Sequence, residues 1–116
     1  MKTSYKIQAF FLALFFLTSN HLFAQTIETN VPGLVIKDYR CNTLSIGNWV
    51  EGNLINRNGI AFNGALRVKI IDKENDILWQ GIQKLMVDAQ NGSKFSVKVL
   101  VGNCLAPNVV QITLER

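Results

Sequence analysis

Trp49-Val-Glu-Gly-Asn-Leu-Ile-Asn56 and Ala65-Leu-Arg-Val-Lys-Ile-Ile-Asp72, joined by Arg57-Asn-Gly-Ile-Ala-Phe-Asn-Gly64, decide the fold of this chain. Both runs alternate in character with a period of two, the repeat of an extended strand whose side chains point to opposite faces. In the second run Leu66, Val68 and Ile70 fall on one face, and Arg67 and Lys69 on the other. In the first run Val50, Gly52, Leu54 and Asn56 fall together, opposite Trp49, Glu51, Asn53 and Ile55. Between the runs, Asn58-Gly59 and Asn63-Gly64 read as turn dipeptides, because both residue types tolerate a positive φ. The pair predicts two strands and a loop.

The same grammar repeats on either side. Gly33 to Tyr39 reads as an earlier strand, with Leu34, Ile36 and Asp38 on one face, and Arg40 to Asn48 as a polar connection with room for a short extra strand. After Asp72, Lys73 to Asp76 is a turn and Ile77 to Leu85 a strand. Asn91-Gly92 marks a further turn. Lys94 to Val101 then alternates, with Phe95, Val97, Val99 and Val101 inward, and Val109 to Leu114 closes the series. No window sustains a helical period. The pattern predicts an all-β fold, an immunoglobulin-like antiparallel β-sandwich of about six to seven strands with one disulfide.

The amino terminus is set apart. Lys2 and Lys6 precede an apolar run from Ala9 to Leu17, and a polar stretch ends at Ala24. This is the form of a bacterial secretory signal peptide, residues 1–24, with cleavage before Gln25. The apolar run falls short of the roughly 20 residues of a spanning helix. Residues 25–116 then form a single domain that is secreted or periplasmic, extracytoplasmic in either case, with no membrane span. Losing Lys2 and Lys6 lowers the formal charge from +4 to +2. The remaining bases, among them Lys37, Arg57, Lys84 and Lys98, are scattered, so nucleic acid is not the expected partner.

A domain this small gains from a covalent tie, and an oxidising compartment makes a Cys41–Cys104 disulfide the expected state. Strand parity agrees. If strands run alternately up and down, Cys41 and Cys104 each follow a strand ending at the same pole, which the Lys73–Asp76 turn shares. The Asn56–Gly64 and Val87–Ser93 loops fall at the other pole, with the chain ends.

Val50-x-Gly52-x-Leu54-x-Asn56, the strand ending in Asp72, and Gly92-x-x-Phe95-x-Val97 together resemble the FxLYD domains, extracytoplasmic modules of immunoglobulin or fibronectin type III shape. The resemblance spans roughly Val50 to Val99. It departs where the family takes its name: Val68, Ile70 and Ile71 stand in place of Phe, Leu and Tyr, and Asp72 alone agrees. It implies a non-catalytic accessory module.

The chemistry-bearing residues are few. The single histidine, His21, leaves with the signal, removing the commonest general base and metal ligand. No catalytic residue, cofactor or metal is expected. Asp72-Lys-Glu-Asn-Asp76 begins like a calcium loop, but Ile77 stands where glycine makes the sharp bend and Gln83 where a bidentate glutamate closes the site. It reads as a solvated turn. Asn91-Gly92-Ser93 has the form of a glycosylation acceptor and is read as a turn too. Each tryptophan has core packing as its commonest role. Trp49 shares the face opposite Val50 and Leu54 with Glu51 and Ile55, and these three are the expected partner-binding residues. The function expected is a binding module for a protein or glycan. The alternative is a structural or assembly component acting through an exposed sheet edge, as in pilus subunits and their chaperones.

Overall fold

The computed structural model describes residues 26–116, so the expected signal peptide and its cleavage site lie outside the described residues. Seven strands follow one another: β1 Thr26–Glu28, β2 Leu34–Leu44, β3 Gly47–Asn56, β4 Phe62–Ile71, β5 Ile77–Val87, β6 Gly92–Val99 and β7 Val109–Glu115. They form two antiparallel sheets, a four-stranded one in the order β1-β2-β3-β6 and a three-stranded one in the order β5-β4-β7. Consecutive strands β3 and β4 lie in opposite sheets, and so do β5 and β6, and β6 and β7. The three crossings make this a β-sandwich rather than a meander. No helix among the described residues is long and apolar enough to cross a membrane.

The core follows the alternation. Val50 and Leu54 from β3 meet Leu66, Val68 and Ile70 from β4, with Phe95, Val97 and Val99 from β6, all buried. Each such side chain contributes about 1.5–3 kcal/mol of burial free energy before the entropy cost of ordering the chain. Gly52 is buried between Ile36 and Phe95, where a Cβ would sit 2.9 Å from the Phe95 ring. The ring fills the space a larger residue would need.

The disulfide joins Cys41 on β2 to Cys104 in the β6–β7 connection, with Cα atoms 5.7 Å apart. The pole assignment behind that pairing holds. Ile71 pairs with both Val109 and Ile77, and Asn48 with Val99, which brings the β2–β3, β4–β5 and β6–β7 connections to one end.

Four details differ from the sequence reading. Arg40 to Asn48 is not a connection: β2 runs on to Leu44, β3 begins at Gly47, and only Ser45 and Ile46 turn. The cause is a β-bulge between Lys37 and Arg40, with Asp38 at φ 55°, which masks the alternation. The same bulge rotates Asp38 outward, where it accepts a 3.2 Å bond from Asn53 Nδ2, and sends Tyr39 and Cys41 inward instead. Val101 is exposed because β6 ends at Val99. Asn63-Gly64 lies inside β4, not in a turn. Gly64 is needed there because the Glu115 carbonyl crosses where a Cβ would stand.

Candidate functional site

The two poles are built from different chemistry. At one, Asn56 is buried at the end of β3 and its amide closes the loops around it. Its Nδ2 donates to the Ile60 carbonyl at 2.8 Å and the Val87 carbonyl at 3.1 Å, and its Oδ1 accepts the Asn58 N–H at 2.9 Å. Asn58 Nδ2 donates to the Pro32 carbonyl, and Gln90 Nε2 to the Arg57 and Asn58 carbonyls. This end is sealed by polar groups bonded to one another.

The opposite pole is apolar. Of the twelve large hydrophobic side chains exposed among the described residues, eight lie in the three connections gathered there or at the strand ends beside them. The end of β2 contributes Leu44 and the β2–β3 turn Ile46, the latter 72% exposed. The β6–β7 connection contributes Leu100, Val101 and Leu105, running into Val109. The start of β5 adds Ile77 and Leu78. Such clustering is unlike the single exposed hydrophobics ordinary on a surface.

These loops are held in place. The disulfide ties the β6–β7 connection to β2. Within that connection Asn103 Oδ1 accepts the Leu105 N–H at 2.9 Å, and Asn108 Nδ2 donates to the Asn103 carbonyl at 2.9 Å. Gly102, at φ 77°, lies against Leu78, linking the connection to β5. A surface ordered beforehand loses little entropy when something binds it.

One turn at this pole is charged. Asp72, Glu74 and Asp76 outnumber Lys73, and one carboxylate oxygen from each of the three acids lies within 4.8 Å of the others. Asp72 Oδ1 accepts the N–H groups of Glu74 and Asp76, both at 2.9 Å, so this carboxylate shapes the turn by itself. The apolar surface therefore has a negative flank.

Trp49, Glu51 and Ile55 share the outward face of β3, as their spacing predicts, and all three are half-buried. Glu51 is occupied: its carboxylate accepts from Arg40 Nε at 3.1 Å, Asn42 Nδ2 at 3.4 Å and Ser96 Oγ at 3.2 Å. Ile55 stands between Val35 and Gly92 in the cross-strand register. The Trp49 ring carries the Lys98 ammonium 5.5 Å from its centroid and borders Gly47, the first residue of β3 after the β2–β3 turn. Trp49 thus lies at the rim of the apolar pole, and Glu51 and Ile55 lie further along the strand. Trp79 faces inward and packs against the core.

Sequence reasoning brought these connections to one pole but missed its apolar character. Its members are scattered over 66 positions from Leu44 to Val109, in segments that read as loops, and only strand parity brings them together. Searches with the chain against protein-family models, curated proteins and solved structures found no match to any of them.

Proposed function

We propose that this chain is a non-catalytic, extracytoplasmic binding module whose disulfide-clamped apolar pole docks a protein partner. One observation carries the reading: eight of the twelve exposed hydrophobics gather at a single pole, on three connections and the strand ends beside them, while the other pole is closed by asparagine hydrogen bonds. Burying such a surface against a partner removes apolar area from water at about 25 cal/mol per Å² before the costs of association. The acidic β4–β5 turn adds selectivity, favouring an apolar partner surface flanked by basic residues and disfavouring an anionic lipid surface. The disulfide and the signal-like leader both support an oxidising, extracytoplasmic setting. The resemblance to FxLYD modules supports an accessory role.

The test is capture of the partner from the extracytoplasmic fraction on the immobilised chain, its identification by mass, and titration with purified material. Replacing Ile46 and Leu100 by Ser removes two exposed apolar groups and leaves the core intact. The double variant should bind at least about tenfold more weakly, equivalent to about 1.4 kcal/mol, at unchanged melting temperature. Trp49→Ala, at the rim, should weaken binding to a lesser degree. Binding that survives the Ile46 and Leu100 changes would place the interface elsewhere.

A further inference from the structure

We propose that the outer edge of β7, at Val110 and Ile112, receives one extended strand from a partner protein, apolar at every second residue. The surface begins beside the apolar pole, next to Val109, and runs away from it along β7, and three observations meet on it.

The first is an unequal pairing of sheets. On one side of the sandwich β6 and β5 lie together, Ser96 donating its N–H to Gln83 Oε1 at 3.2 Å. Counting columns from that side sets β3 over β4 and β2 over β7, and leaves β1 with no strand opposite. Ile27 records this. It pairs with Ile36, so both side chains point toward the interior of the sandwich, yet Ile36 is 1% exposed and Ile27 38%. A strand added beside β7 would occupy the column beneath β1.

The second is hydrogen bonding. Asn30 accepts the Leu114 N–H and donates to the Leu114 carbonyl, so the Leu114 backbone points away from β4. The β4–β7 register has no shift, and N–H and C=O groups alternate sides along a strand. Val110 and Ile112 therefore point to the same free edge. Among the described residues no group pairs with them there. The edge offers two donors and two acceptors spaced for a strand.

The third is the absence of protection. Val109 to Leu114 carries no charge, proline or bulge, the usual means of blocking an edge. The inward side chains of Val110 and Ile112 pack on the core but stay half-exposed. A strand with apolar residues alternating inward would cover them and Ile27. The place is one strand wide, with β7 beside it and β1 above, which suits an inserted strand rather than a whole second sandwich.

Amide hydrogen exchange, read residue by residue by NMR, tests this. The probe is a capped peptide of about seven residues alternating Val and Thr, with a terminal lysine for solubility. In the free protein Val110 and Ile112 should exchange fast, and Gln111 and Thr113, bonded to β4, slowly. With peptide at about nine times its dissociation constant, exchange at Val110 and Ile112 should slow by about tenfold. Ile112→Pro removes an edge donor that β4 does not use, so it should abolish peptide-induced slowing at Val110 while Gln111 stays slow. Peptide that leaves exchange unchanged would overturn the proposal. Slow exchange at Val110 and Ile112 without peptide would mean that the chain covers its own edge. Slowing that appears only as protein concentration rises would make a second copy the occupant. Both outcomes reject a partner strand. Ile46→Ser should leave the peptide effect intact, so failure here and failure at the pole are distinguishable.

Discussion

Asn30 pairs with Leu114 as a neighbouring strand would. Its Oδ1 accepts the Leu114 N–H at 2.7 Å, and its Nδ2 donates to the Leu114 carbonyl at 2.9 Å, across 84 residues of sequence. One side chain thus closes the lower part of the β7 edge and ties the first residues after β1 to the last strand. Asn30→Ala should cost about 1–2 kcal/mol, two partly buried hydrogen bonds at about 1 kcal/mol each. Urea denaturation measures it. A shift below about 0.3 kcal/mol would show that water serves Leu114 equally well.

Asn56 is the more exacting case, being 1% exposed with three bonds from its amide. Asn56→Leu keeps the branched side-chain shape but leaves the Ile60 and Val87 carbonyls and the Asn58 N–H without that partner. The expected cost is about 2–4 kcal/mol, by the same denaturation measurement. The Asn58 N–H should also exchange faster. An apolar replacement tolerated without loss would mean that the loops carry their own order.

The alternating strands were legible because each buries one face. Leu66, Val68 and Ile70 face an apolar core, so the sequence had to repeat every second residue. Cys41 and Cys104 were legible through parity, which depends only on strand count. The Asp38 bulge was not, since an extra residue erases the period it interrupts. Asn63-Gly64 misled because glycine serves a close crossing of Glu115 there and not a turn. The apolar pole and the β7 edge are properties of assembled strands, and no local pattern announces them.

Phe95→Ala and Lys69→Ala test the two faces directly. Phe95 is 2% exposed and packs beneath Gly52, so truncation should cost about 3–5 kcal/mol through lost burial and the cavity left behind. Lys69 lies on the outward face of β4, and its removal should change stability by less than about 0.5 kcal/mol. Thermal or chemical unfolding reads both. Equal effects would invalidate the face assignment.

Tyr39 supplies a pH test. The bulge turns it inward, and burial raises its hydroxyl above the ordinary phenol range. The unfolded chain releases this proton near pH 10, whereas the folded chain keeps it. The folded state then binds more protons, so stability falls as pH rises past the unfolded value. Below that value the group makes no pH-dependent difference. Of the two tyrosines in the sequence, Tyr5 lies in the expected leader, so a chain beginning at Gln25 has Tyr39 alone. Phenolate absorbance should therefore show one titration, displaced upward in the native protein and returned to about pH 10 in guanidinium. Tyr39→Phe retains the ring and removes the ionisable proton, so its loss of stability above about pH 10 should be shallower than that of the parent chain. Lysines titrate in the same range, and the difference between the two proteins isolates the tyrosine. A native midpoint at the ordinary value, with parallel alkaline curves for both proteins, would show the hydroxyl open to water and the inward placement of Tyr39 to be wrong.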